Sequence, residues 1–222
     1  MNEKINWLEQ NRENPNLQNA VLRAIERIEC EGYCLGKGKT ATICALEDYP
    51  DICVKIINKE TPVNNGEEEM DFLRELSEKK FPVPAPVCFA QTDKAEYVFM
   101  EIIDGLSIED LVKGVDDKES EILKNINFND FFRELRELVE KMHREGIHHR
   151  DLHEGNVMID KKGKPVIIDF GTAKKIRLLE ENPYIDKGIR DSVYFPSDEN
   201  KIIELKKILG SYLKNKGFFN KQ

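Results

Sequence analysis

Asp151, Asn156 and Asp169 fall close together, in His149-Arg150-Asp151-Leu152-His153-Glu154-Gly155-Asn156 and then Asp169-Phe170-Gly171. A carboxylate such as Asp151 can orient an attacking hydroxyl and take its proton. A carboxamide and a second carboxylate are hard oxygen donors of the kind that hold Mg²⁺ against nucleotide phosphates. Together they match the needs of phosphoryl transfer from a nucleotide. Residues 157–159 and 165–168 read as two short strands flanking the turn Lys161-Lys162-Gly163-Lys164. Pairing these strands brings Asn156 and Asp169 to one end. Taken singly, Asp151 and Asn156 are ordinary loop residues and Asp169 an ordinary strand end; their order and spacing carry the chemistry.

Further groups for a nucleotide lie upstream. Lys55 ends the apolar run Ile52-Cys53-Val54-Lys55, and Glu67, Glu68 and Glu69 open an acidic helix over 67–79. Ahead of them, Gly36-Lys37-Gly38-Lys39-Thr40-Ala41-Thr42-Ile43 offers a glycine-rich turn. Its Gly38-Lys39-Thr40 also mimics the end of a Walker A loop. That motif needs glycine where Tyr33 stands and a helix where a strand is expected here.

The elements that must position these groups read as follows. Asn14-Pro15 starts a helix with Leu17, Val21, Leu22, Ile25 and Ile28 on one face; we expect it to pack near the glycine loop. Three antiparallel strands fill 30–57, broken at Gly36-Lys37-Gly38 and at Glu47-Asp48-Tyr49-Pro50. Phe81-Pro82-Val83-Pro84-Ala85-Pro86 forbids helix, and strands follow near 87–91 and 96–102. After Asp104-Gly105 the chain turns helical. Phe131, Leu135, Leu138, Val139 and Met142 mark an amphipathic helix ending near Gly146. An irregular segment follows the second short strand. A last helix over 197–213 carries Ile202, Leu205, Leu209 and Leu213, with Ser197 as its cap.

Composition bounds the rest. The 222 residues carry a net charge of −8 and are 40% hydrophobic and 34% charged, a folded rather than a disordered balance. The acidic surface argues against nucleic acid as a partner. No apolar run reaches the roughly 20 residues of a membrane span, so no membrane is expected. The polar start Met1-Asn2-Glu3-Lys4 carries no signal-peptide pattern; we expect a cytoplasmic protein, with secretion as an effector left open. Cys30, Cys34, Cys44, Cys53 and Cys88 form no C-x-x-C pair, and His143, His148, His149 and His153 lie far downstream. They read as buried thiols rather than zinc ligands.

These motifs resemble the protein-kinase superfamily, whose catalytic loop H-R-D-L-x-x-x-N and metal loop D-F-G both match here letter for letter. The resemblance implies an α+β, bilobal protein-kinase-like fold, with a five-stranded antiparallel N-lobe sheet bearing one helix and a reduced, mainly helical C-lobe. It divides the chain into an N-terminal helical extension (1–28), an N-lobe (29–103) and a C-lobe (104–222). ATP and Mg²⁺ are the implied cofactors. Lys55 would hold the α- and β-phosphates and pair with Glu69; Glu68 is the alternative partner and Glu67 reads as surface. Gly36 and Gly38 would form the phosphate loop, with Ala41 in the third glycine position. Ile43 and Cys53 would cover the adenine and Met158 underlie it. Met100-Glu101-Ile102-Ile103 would be the hinge, with backbone groups of Glu101 and Ile103 on the adenine edge. Asp151 would act on the acceptor, and Asn156 and Asp169 on the metal. Phe170, His149 and Leu73 would stack.

The match departs from ordinary protein kinases in two places. Only residues 172–222 follow Gly171, without an A-P-E or D-x-W-x-G sequence. Asp198 either caps the last helix or steadies the catalytic loop. His153 stands where serine/threonine kinases place lysine, and Asp151-Leu152-His153-x-Gly155-Asn156 is similar to aminoglycoside and choline phosphotransferases. The small size, with Val83-Pro84-Ala85-Pro86 and Met100-Glu101-x-x-x-Gly105, also resembles bacterial effector kinases and the kinase-like ATPase of tRNA threonylcarbamoylation. The expected function is that of a minimal, bacterial-type serine/threonine protein kinase. Alternatives are a small-molecule phosphotransferase, or a kinase-fold ATPase acting through a regulatory protein partner. The acceptor is accordingly a protein or a small hydroxyl compound. Activity is expected without phosphorylation of Thr172, Tyr184, Ser192 or Tyr194.

Overall fold

A computed structural model describes residues 4–31, 36–37, 41–58, 65–114, 119–175 and 195–218. The glycine-loop residue Gly38, the cysteine Cys34, and Tyr184, Ser192 and Tyr194 lie outside the described residues. The chain forms two units, one comprising residues up to Ile103 plus Phe170–Thr172, the other the remainder from Asp104.

The first unit is built on alternation. Its elements are β1 (Lys4–Trp7), α1 (Pro15–Glu31), β2 (Gly36–Lys37), β3 (Ala41–Leu46), β4 (Tyr49–Asn58), α2 (Gly66–Glu78), β5 (Pro86–Gln91) and β6 (Ala95–Glu101). The strands make one antiparallel sheet in the order β1-β5-β6-β4-β3-β2. Successive side chains in a strand face opposite sides. Cys44, Val54, Tyr97 and Phe99 form one face, buried with Leu17, Val21 and Ile25 of α1. Lys55 and Cys53 belong to the other face. The helix begins as its sequence dictates: Asn14 Oδ1 accepts the Leu17 N–H at 3.1 Å, and proline takes the first helical position. It covers the sheet; residues 38–40 of the glycine loop lie outside the described residues.

The sheet has a sixth strand beyond the five expected. The segment read as the start of a helical extension opens with β1, which pairs with β5 through Ile5↔Ala90 and Trp7↔Cys88. Asn65 caps α2 by accepting the Glu68 N–H, and the helix buries Glu69, Met70, Phe72, Leu73 and Leu76.

The second unit comprises β7 (Gly105–Ser107), α3 (Ile108–Lys113), α4 (Glu119–Asn125), α5 (Phe128–Arg144), β8 (Ile147–His148), β9 (Val157–Asp160), β10 (Pro165–Ile167), β11 (Lys174–Lys175) and α6 (Phe195–Asn215). β9 lies between β10 and β7. Asn127 caps α5, whose buried face is Phe131, Phe132, Leu135, Val139 and Met142. Two expectations need correction here. The segment after Asp169 is not wholly irregular: β11 pairs with β8, Lys174 opposite His148. α6 starts at Phe195, so Ser197 sits inside its first turn rather than at its cap. Pro196 suits such an early helical position, where a missing N–H costs nothing.

Candidate active site

In the second unit, β9 and β10 set the end at which Asn156 and Asp169 emerge. Ile167 pairs with Val157, and the Ile168 N–H donates to Asn156 O at 2.9 Å. The Asn156 amide is fixed from below. Its Nδ2 donates to Asp151 O at 2.9 Å and lies 3.5 Å from Asp151 Oδ2. An Asn156 carboxamide oxygen and the Asp169 carboxylate are hard oxygen donors of the type that fits Mg²⁺. Asp151 itself is exposed, with 54% of its side-chain area accessible.

His149 braces this loop. It is fully buried, its Nε2–H donates to Ile168 O at 2.9 Å, and its Nδ1 accepts the Asp151 N–H at 3.4 Å. Accepting at Nδ1 requires the neutral ring. Burial holds its pKa below the ordinary histidine value, against the opposing pull of the Ile168 carbonyl. Arg150 and Asp169 have φ of 68° and 63°. Left-handed backbone at non-glycine residues is strained and concentrates at functional sites. Here it falls once in each of the two motifs.

In the first unit, the Lys55 ammonium lies 3.0 and 2.8 Å from the two oxygens of Glu69, with side-chain exposures of 2% and 0%. Glu68 and Glu67 are exposed, so the partner is Glu69. Its Oε1 also accepts the Phe170 N–H at 3.2 Å. Ile43 stands opposite Lys55 across the β3–β4 ladder, and Cys53 precedes Lys55 by two on β4. All three therefore share a face. Ile43 is 38% exposed, and burial raises the Cys53 thiol to about 11. Gly36 pairs with Ile43 in β2. In Met100-Glu101-Ile102-Ile103, the Glu101 N–H donates to Ala85 O and the Ile102 N–H to Asp51 O. Ile103 makes no backbone hydrogen bond among the described residues. Leu73 and Phe170 are each 1% exposed, and Met158 is half-buried on β9.

Sequence reasoning did not pair His143 with Asp198. Asp198 lies in the first turn of α6, 1% exposed, with Oδ2 accepting from His143 Nε2 at 2.9 Å. It is not a cap. His143 in turn stacks on His148, ring centroids 4.2 Å apart. The available signal was helical: His143 follows the buried Val139 at i+4 spacing, which puts the two on the same face of α5. His153 lies 3.8 Å from Asp151 Oδ2, and its Nδ1 accepts the Gly155 N–H at 3.0 Å.

The family profile described as protein kinase domain matches residues 31–196. The chain is 32% identical over 145 residues to the probable serine/threonine-protein kinase zyg-1 of Caenorhabditis elegans, covering 63% of this chain and 20% of that protein. It is 33% identical over 154 residues to the dual specificity protein kinase zak2 of Dictyostelium discoideum, covering 67% and 22%. It is 30% identical over 176 residues to a probable bifunctional tRNA threonylcarbamoyladenosine biosynthesis protein of Methanosphaera stadtmanae, covering 75% and 30%. The matched region is thus under a third of each relative's length.

Proposed function

Because this chain belongs to the family of protein kinase domains, we propose that it transfers the γ-phosphoryl group of ATP to a hydroxyl of a protein substrate, as a minimal serine/threonine kinase. The observation that carries this reading is the buried Lys55–Glu69 pair. Taking two charges out of water is costly, and apolar residues of similar volume often serve stability as well or better. A positioned ammonium for phosphate is the use that accounts for it.

Asp151 accepts the proton of the acceptor hydroxyl as its oxygen bonds to the γ-phosphorus and the bond to ADP breaks. Its exposure suits a group that meets an incoming substrate. Lys55, held by Glu69, offsets phosphate charge. Asn156 and Asp169 would hold Mg²⁺, which supplies charge neutralisation on the phosphate oxygens when bound. The Glu101 carbonyl and Ile103 N–H orient the adenine, and Ile43 and Cys53 contribute apolar contacts to it.

The test is an acceptor screen with labelled ATP, comparing proteins, small alcohols and amino sugars. Protein labelling is expected, abolished in Asp151→Ala with ATP affinity retained, and abolished in Asp169→Asn with the fold intact. Label confined to small compounds would replace the protein-kinase reading. His153 beside Asp151 favours that small-molecule phosphotransferase as the second reading. The tRNA-modification relative favours a third, a kinase-fold ATPase working on a protein partner, which the same screen detects as free phosphate without labelled acceptor.

A further inference from the structure

α5 and α6 pack together in the second unit and leave a groove of about 890 Å³ along their outer side. Its floor is apolar. Phe132 is buried, Phe128 half-buried, and Ile203 is 43% exposed. Gly210 of α6 faces the Phe128 ring; a Cβ there would stand 3.2 Å from it, so the ring would have to shift by a few tenths of an ångström.

The rim is cationic. Arg136 and Lys207 have no carboxylate partner among the described residues, and Lys206 lies 5.7 Å from the centroid of the Phe128 ring. Arg133 is engaged by Asp130 at 2.5 Å and by Glu137 at 3.9 Å, and Glu140 is the remaining acid on the lining. The lining therefore has more cations than acids, in a chain with 42 acidic and 34 basic residues. An exposed aliphatic side chain in a groove it shares with two aromatic rings and with Arg136, Lys206 and Lys207 is complementary to a definite class of partner.

We infer that the α5–α6 groove docks an acidic segment of another protein, with an apolar side chain covering Ile203 and Phe128 and carboxylates meeting Arg136, Lys206 and Lys207. A lipid surface is a poorer fit, since a planar bilayer cannot reach the floor of a groove between two helices. A nucleic acid would meet the apolar floor with a phosphate backbone that gains nothing from it. The −8 charge of the chain repels acidic partners elsewhere on its surface. Attraction is confined to within about 8 Å of the rim at physiological salt, which limits docking to this groove. The inference concerns the second unit alone and does not rest on the phosphotransfer reading.

The test uses the full chain and fluorescein-labelled synthetic peptides, read by anisotropy at physiological ionic strength. One peptide sets Leu and Phe at helical i, i+4 spacing among Glu and Asp. A second scrambles the same composition, and a third replaces its acids with lysine. Saturable binding of the first is expected, weakened at least tenfold by R136E/K207E and by I203E, with weak or no binding of the other two. All three substitutions are at exposed positions, and unchanged thermal melts and ATP turnover in these variants would show that the loss is one of docking. Absence of saturable binding overturns the inference. So does equal binding of the scrambled or lysine peptide, or binding indifferent to charge reversal. Tighter binding of anionic vesicles or duplex DNA under the same conditions would also overturn it. So would a wild-type dimer in sedimentation that dissociates in R136E/K207E, which assigns the groove to a second copy of the chain.

Discussion

Lys55 and Glu69 illustrate how far single residues were legible. The apolar run ending in lysine and the acidic helix were plain in the sequence, and the family's spacing pointed to Glu69, with Glu68 left as the alternative because residue type does not tell them apart. Burial separates them: only Glu69 faces inward, where it meets both Lys55 and the Phe170 N–H. Glu69→Gln should leave a buried ammonium without its counter-charge and cost about 3–5 kcal/mol. Adding Lys55→Met should recover most of that stability and leave transfer abolished. Urea unfolding and a transfer assay on the two variants and the wild type check this; a double variant as unstable as Glu69→Gln would show that charge is not the cause. His148 gives a second prediction. Burial, with the neighbouring His143, lowers its pKa from 6.5 to about 4. Between these values the unfolded chain binds the proton and the folded chain does not. Stability is therefore intact above pH 6.5 and falls as pH drops toward 4, by about 3 kcal/mol from this group. In His148→Phe the acid limb of a stability–pH curve should be flatter over that window. An unchanged slope would remove His148 as the source.

Elements were legible where their pattern ran long. Asn14-Pro15, the acidic run from Glu67 and the α5 stripe placed three helices; the caps Asn65 and Asn127 of the latter two came only with the structure. β1 escaped because Lys4-Ile5-Asn6-Trp7 is only four residues long, and what makes it a strand is β5 alongside it rather than its own pattern. Ser197 misled as a cap because its residue type suits that position, while Phe195 and Pro196 already lie in the helix. Gly105 was read as the point after which the chain turns helical and as the end of Met100-Glu101-x-x-x-Gly105, yet its role is tighter. A Cβ there would lie 2.2 Å from Ile159 O and 2.9 Å from the Asp160 Cα. Both are backbone atoms of β9, the strand that leads from Asn156. Gly105→Ala should therefore part β7 from β9 and cost about 3 kcal/mol. Hydrogen exchange should show faster exchange in β7 and β9 with β4 and β6 unchanged; retained protection in β9 would mean that the strand absorbs the methyl group without separating.

At the scale of the whole molecule, the sequence announced two units but not the path of the chain between them. The metal loop was read as one motif, Asp169-Phe170-Gly171. In the structure Asp169 belongs to the second unit, whereas Phe170–Thr172 belong to the first. The resemblance had set Phe170 against Leu73 of the glutamate helix; what assigns it to the first unit is its burial and its N–H bond to Glu69, about a hundred residues upstream. Within the first unit, the Phe170 N–H thus supports the glutamate that pairs with Lys55. Phe170→Ala should remove a side chain that is 1% exposed and cost about 3–5 kcal/mol. The loss should appear in the first unit: amides of α2, around Glu69 and Leu73, should exchange faster, and ATP affinity should fall through Lys55 although neither Asp151 nor Asn156 is altered. Hydrogen exchange with mass spectrometry, run beside Asp169→Asn as a control that keeps Phe170, separates the effects. If α2 exchanges at the wild-type rate in Phe170→Ala, the Phe170 ring does not support α2; the backbone N–H bond to Glu69, which alanine keeps, then suffices.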